Sequence, residues 1–174
     1  LPYNKRPAPE HPRLRPAYQG ANPISDVWAS RAIEMISKNL LRTMEDPTDD
    51  EARGQVLLAA TYAGIGFGNG GLHLAHGMSY PVSGMVRNYV PEGYPPGHPI
   101  VPHGMAVCLN APAVFRFTAP ANPSLHLYAA KLMGCDVSRA KPEEAGEILA
   151  GAILDIMRKV GMPNGLAAVG FGCH

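Results

Sequence analysis

The sequence has little charge, few cysteines and no long apolar run. Charged residues make up 17% of the 174 residues, below the roughly 25% of an average globular protein. The net charge of +1 indicates neither a nucleic-acid partner nor an anionic membrane surface. Every apolar stretch is far shorter than the ~18–20 residues that span a membrane, so no membrane segment is expected. The three cysteines form no Cys-x-x-Cys pair, which argues against a disulfide framework or a cysteine-bound zinc and fits a reducing compartment.

Strand patterns are also missing. No segment of roughly four to eight residues alternates in the Val-, Ile- and Thr-rich manner of a strand, whereas apolar residues repeat at helical spacing through most of the chain. Six prolines within residues 1–23 predict an extended loop there. The sequence therefore predicts an all-α domain over residues 24–174, preceded by a proline-rich loop over 1–23.

Capping residues and prolines predict where the helices begin and end. The first helix should start near Asn22-Pro23 or at Ser25, and Glu45-Asp46-Pro47 should end it. Thr48 with Glu51 forms a capping-box pattern for the second helix. The remaining helices are expected at Leu72–Tyr80, ended by Pro81, and at 103–118, 123–133 and Pro142–Lys159.

A glycine cluster at residues 64–71 contains a Gly-x-Gly-x-x-Gly pattern at Gly66, Gly68 and Gly71. Such a loop binds pyrophosphate when it follows a strand and precedes an acidic residue about twenty positions on. Here the preceding segment looks helical, and the first acidic residue downstream is Glu92. We expect the glycines instead to allow a close approach of backbone to a neighbouring helix or ligand.

Histidines are the candidate metal ligands. His73, His76 and Tyr80 are spaced to share one helix face, and His103 follows Pro102 at a loop-to-helix junction. Neutral imidazole is a good ligand for Fe²⁺ or Zn²⁺. By spacing alone His76 and His103 are a weak signal, and packing in the core is an open alternative.

Residues 62–117 resemble the iron-containing alcohol dehydrogenase family. The resemblance lies in Gly-Ile-Gly-Phe-Gly-Asn-Gly-Gly, His-Gly-Met-x-x-Pro and Pro-His-Gly, and it extends from Pro16 to Gly170. It implies the helical metal-binding domain of the dehydroquinate synthase-like fold, with the N-terminal dinucleotide-binding α/β domain missing. The family's metal is held by one Asp and three His, and the last two histidines correspond to His76 and His103.

The family's first two ligands form an Asp-x-x-x-His pair, and this chain contains no such pattern. The chain also opens at Leu1 rather than Met, within the proline-rich loop. The expectation is therefore a fragment that is inactive alone, with any targeting peptide upstream of Leu1.

The resemblance is strongest to the transhydrogenase branch of the family. It implies oxidation of 4-hydroxybutyrate to succinate semialdehyde, coupled to reduction of 2-oxoglutarate to 2-hydroxyglutarate. Small hydroxyacids and oxoacids are the expected partners, nucleic acid and membrane are not, and the oligomeric state is left open. The resemblance also implies bound Fe²⁺, with Zn²⁺ as the alternative, bound NAD and a mitochondrial location. An NAD-linked iron-dependent alcohol dehydrogenase and a truncated, non-catalytic helical module are the alternative interpretations.

Two further site residues follow from the resemblance. Tyr80 takes the position at which many family dehydrogenases carry a histidine beside the nicotinamide, so it is the candidate catalytic residue; a Tyr packed in a helix face is the alternative. Phe67 corresponds to a contact near the cofactor, with a plain core aromatic as the alternative.

Overall fold

The computed structural model describes residues 11–14 and 20–172, and all the regular elements in that part of the chain are helices. The predicted all-α class is thus confirmed. Most of the expected loop over 1–23 lies outside the described residues, apart from a short 3-10 turn at Pro12–Leu14. The α-helices are α1 (Pro23–Glu45), α2 (Asp50–Gly70), α3 (Leu74–Met85), α4 (His103–Thr118), α5 (Pro123–Leu132) and α6 (Ala145–Lys159).

Polar caps fix the ends of the first two helices. Asn22 begins α1, since its side-chain oxygen accepts hydrogen bonds from the backbone N–H groups of Ile24 at 3.1 Å and Ser25 at 3.0 Å. The predicted cap of α2 is wrong by one residue. Asp49, not Thr48, accepts the N–H of Ala52 at 2.9 Å, while Thr48 bonds to the Asp46 carboxylate instead.

The glycine cluster is part of a helix, not a loop. α2 continues to Gly70, and two of its glycines, Gly66 and Gly70, lie against α1. A Cβ on Gly66 would lie 3.2 Å from the Ala29 nitrogen, and one on Gly70 would lie 3.0 Å from the Ser25 hydroxyl. Close approach to a neighbouring helix is therefore confirmed. Because these residues are helical and follow helical turns, the strand-to-helix context that a nucleotide fingerprint needs is absent at this position.

Contacts between Cα atoms divide the chain into two compact units. One comprises the described residues up to 72 together with 128–139. The most extensive helix packing in this unit is between α1 and α2. The other comprises 73–127 and 140 onward, where α4 packs against both α3 and α6. The core of this second unit contains Val82, Val101, Ala106, Leu109, Met157 and Val169. The predicted domain division, a loop over 1–23 and one helical domain over 24–174, stays a prediction.

α3 departs from the expected bounds at both ends. It begins at Leu74, two residues late, and continues four residues beyond Pro81, so the predicted stop at that proline is wrong. Proline removes one helical hydrogen bond and normally ends or kinks a helix. Tertiary packing holds the following turn here, because Val82 is buried in the core and the Ser83 hydroxyl donates to the Val101 carbonyl at 3.0 Å.

The other bounds follow the sequence closely. α4 spans the predicted 103–118, and α5 ends one residue before the predicted 133. The segment predicted as Pro142–Lys159 begins with a 3-10 turn at Pro142–Glu144, which leads into α6, and α6 ends at Lys159 as expected. Gly161, with φ of +70°, closes α6. Among the helices in the described part of the chain, none combines the length and the apolar character needed to cross a membrane.

Candidate functional site

His76 and His103, 27 residues apart in sequence, are brought together within the second unit. His76 lies in the first turn of α3 and His103 is the first residue of α4. Their ring centres are 5.5 Å apart, with 54° between the ring planes. The bond from Ser83 to Val101, two residues before His103, ties the entrance of α4 to α3 and thus holds the second imidazole beside the first.

The separation of the two rings is compatible with two imidazole ligands of one metal ion. A metal–nitrogen bond is about 2.1 Å long, which places the ring centres of two imidazoles on one tetrahedral ion roughly 5 Å apart. Burial, and after it repulsion from His103, lowers the pKa of His76 below its ordinary value of 6.5. A lowered pKa leaves the imidazole neutral at neutral pH, with a nitrogen lone pair available for a cation.

Ser79 lies between the two histidines and is fully buried. Its hydroxyl donates to the His76 carbonyl at 2.7 Å and is 3.4 Å from Nδ1 of His103. Sequence reasoning did not single out this serine. The one available signal was its spacing, three residues after His76, which places it on the same helix face.

Tyr80 follows Ser79 and faces solvent. Its ring centre is 6.0 Å from that of His103, and 65% of its surface is exposed. The alternative of a tyrosine packed into a helix face does not describe it. An exposed phenol beside a candidate metal ligand is open to a small molecule, and the catalytic role predicted for it stays a prediction.

Phe67 and His73 lie elsewhere. Phe67 is on α2, in the first unit, with 50% of its surface exposed, so it is not a core aromatic; its predicted contact with the cofactor is untested. The prediction that His73 shares a helix face with His76 is wrong. His73 is the N-cap of α3, its backbone is extended, and its Nδ1 accepts the N–H of Ala75 at 3.4 Å. The late start of the helix is the reason, because it removes His73 from the helical register.

The described residues offer two imidazoles to a metal and no more. Across residues 11–14 and 20–172, no group of three or more His, Cys, Asp or Glu side chains is placed to hold an ion. Two histidines are half of the four-ligand set that the resemblance implies, so the geometry accounts for the half that this sequence contains.

Comparison with known proteins places this geometry in a family. The C-terminal model of the Fe-containing alcohol dehydrogenase family matches residues 17–172. The chain is 53% identical over 173 residues to a probable mitochondrial hydroxyacid-oxoacid transhydrogenase of Dictyostelium discoideum. It is 51% identical over 172 residues to the corresponding Xenopus tropicalis protein and 49% identical to the human one. Each alignment covers 98% of this chain but 32–37% of the relative, so the chain spans about a third of these proteins.

Solved structures of the same fold are more distant in sequence. A 1,3-propanediol oxidoreductase superposes with a TM-score of 0.76 at 28% identity, over 88% of this chain and 37% of that protein. An alcohol dehydrogenase from Oenococcus oeni has the same TM-score at 24% identity, over 87% of this chain and 36% of that protein. The second likeness shows the fold alone, which agrees with the helical architecture described above.

Proposed function

The chain belongs to the iron-containing alcohol dehydrogenase family, and from that membership we propose that the complete protein is a mitochondrial hydroxyacid–oxoacid transhydrogenase. The observation that carries the proposal is identity of 49–53% across 98% of the chain to proteins of that name. The alcohol-oxidising enzymes of known structure are 24–28% identical, which favours transhydrogenation over NAD-linked alcohol oxidation.

The proposed reaction couples two half-reactions on small carboxylates. The alcohol carbon of 4-hydroxybutyrate loses a hydride and its hydroxyl loses a proton, giving succinate semialdehyde. The keto group of 2-oxoglutarate gains the same two electrons and two hydrogens, giving 2-hydroxyglutarate. When bound, Fe²⁺ or Zn²⁺ supplies Lewis-acid polarisation of a carbon–oxygen bond, and NAD supplies the site that accepts and returns the hydride.

The residues of this chain have three proposed roles. His76 and His103 hold the metal through neutral imidazole nitrogens, together with ligands that the described residues do not include. Tyr80, exposed beside His103, is proposed to hold or exchange the hydroxyl proton of the substrate. Phe67, half exposed on α2, is proposed as an aromatic contact of the cofactor.

Turnover of the complete protein tests the reaction. We expect 4-hydroxybutyrate and 2-oxoglutarate together to yield succinate semialdehyde and 2-hydroxyglutarate in equal amounts without added NAD. Omission of either substrate should limit the product to at most one equivalent per bound NAD. Faster oxidation of a simple alcohol with free NAD than transhydrogenation would favour the dehydrogenase alternative.

Metal content tests the two ligands separately from activity. His76→Ala and His103→Ala each remove one proposed ligand, so bound metal per protein after dialysis should fall well below the wild-type value, and activity should fall by orders of magnitude. His73→Ala is the matched control, because this histidine caps the same helix and its ring packs against Phe115, while the ring contact with His103 is made by His76. Loss of metal from the His73 variant but not from the His76 variant would overturn the ligand assignment.

A further inference from the structure

The Ser79 hydroxyl is constrained by its single proton. The oxygen is fully buried, and it donates that proton to the His76 carbonyl at 2.7 Å. A carbonyl can only accept, so the direction of this bond is not in question. The hydroxyl therefore has no proton left to donate and presents only a lone pair to its second neighbour, Nδ1 of His103.

The direction of the first bond determines the direction of the second. The distance from the Ser79 oxygen to Nδ1 of His103 is 3.4 Å, longer than the roughly 2.7–3.2 Å of an ordinary N–H···O bond, so this is the weaker of the two contacts. That contact is favourable only if Nδ1 carries the ring proton and donates it to the serine. A neutral imidazole has one ring proton, so a proton on Nδ1 leaves the lone pair on Nε2.

We infer that Ser79 is a positioning residue that selects the Nδ1–H tautomer of His103 and thereby presents Nε2 as the metal-binding atom. The inference rests on the proposed metal centre. It adds Ser79 as a residue that affects metal binding through His103 and does not bind the metal itself. Partners that fix the tautomer and orientation of a ligating histidine raise its affinity for the metal, typically by about 10–100-fold. The same hydroxyl also links the two ligand-bearing segments, since it bonds to the backbone of His76 and contacts the ring of His103.

A purely local role would give a different result. Serine hydroxyls often bond to a carbonyl three or four residues earlier in their own helix, with no consequence for a neighbour. If Ser79 did only that, the tautomer of His103 would not depend on it. The tautomer is therefore the measurement that separates positioning from packing.

The first experiment records imidazole ¹⁵N chemical shifts of the complete, metal-free protein, with His103 assigned by its loss in His103→Gln. We expect Nδ1–H for His103 in the wild type and a shift toward Nε2–H in Ser79→Ala. Ser83→Ala is the matched control, because its hydroxyl lies one turn further along α3 and donates to the Val101 carbonyl rather than to an imidazole. This control should loosen the entrance of α4 and leave Nδ1–H in place.

The second experiment measures the affinity for Zn²⁺ by competition with a chelator. Ser79→Ala should bind Zn²⁺ about 10–100-fold more weakly than the wild type, and His103→Ala should lose more. Wild-type affinity in Ser79→Ala would overturn the positioning role, and if His103→Ala still lost the metal the proposed centre would stand. Full metal retention by His103→Ala would overturn the centre and the role of Ser79 together.

The wild-type spectrum alone is enough to overturn the inference. Predominant Nε2–H at His103 in the folded wild-type protein would overturn the inference, even if Ser79→Ala failed to fold. Predominant Nδ1–H in the wild type, unchanged in a folded Ser79→Ala variant, would overturn it as well.

Discussion

Tyr80 is a residue at which the choice between two reactions can be tested, since its ring is exposed and lies outside the buried core. We expect Tyr80→His to raise NAD-linked alcohol oxidation relative to transhydrogenation. Net oxidation must release a proton to water, and a histidine with a pKa of about 6.5 suits that transfer. A transhydrogenase returns the proton to its second substrate and needs less exchange.

The ratio of the two activities is the measurement, made on the complete protein at neutral pH. Tyr80→Phe provides the control, because it removes the hydroxyl without adding a group that titrates near neutrality. An identical ratio in the wild type and the histidine variant would count against proton exchange as the function of this position.

At the scale of single residues, the sequence singled out two candidate ligands but did not predict their surroundings. His76 and His103 were singled out by a short motif, and the structure brings them together. The sequence did not indicate a role for Ser79, because a single serine in an apolar helix forms no motif. Its proposed role depends on its contact with the ring of His103, which lies 24 residues later in the chain. His73 was placed on the wrong face because one misjudged helix start changes the direction of every side chain before it.

At the scale of the helical elements, the glycines of α2 divide into those that meet α1 and those that do not. Gly66→Ala would place a Cβ against backbone atoms of α1, which cannot rotate away, so the free energy of unfolding should fall by about 1–3 kcal/mol. Gly68→Ala has no heavy atom within 4 Å of the new Cβ, so the same change should stabilise the helix by about 0.5–1 kcal/mol.

Urea unfolding of the two variants beside the wild type measures both effects, and their opposite signs make each the control of the other. Stabilisation of similar size by both substitutions would mean that helix propensity, and not the contact with α1, determines the effect of replacing these glycines.

Caps and periodicity allowed most helix bounds to be predicted, and the failures have physical causes. Thr48 and Asp49 are both good caps, and only the bond to the Ala52 amide distinguishes them. Pro81 is a strong local stop signal, yet burial of Val82 outweighs it. The glycine run has poor helix propensity and forms helix nevertheless, because its missing side chains allow the contact with α1. In the last two cases tertiary packing opposes local preference, and a single sequence does not display that packing.

For the whole molecule, the proposed chemistry needs more than these 174 residues provide. The described part of the chain holds two imidazoles near each other and no third ligand, and the sequence contains no Asp-x-x-x-His. We expect the isolated 174-residue chain, supplied with Fe²⁺ and NAD, to show no turnover of 4-hydroxybutyrate with 2-oxoglutarate. Product formation at the rate of the complete protein would contradict the four-ligand interpretation.

The close packing of α1 against α2 should also affect how fast the backbone amides of these two helices exchange with solvent. A Cβ added at Gly66 or Gly70 would lie 3.2 or 3.0 Å from atoms of α1, and just before α1 the Gly20 amide donates to the Gly70 carbonyl at 2.7 Å. Helices packed this closely have little room to move independently. Solvent reaches the amides at their contact mainly when the two helices separate. We therefore expect the amides at this contact, in both α1 and α2, to exchange with deuterium at one common rate, which is the rate at which the two helices separate.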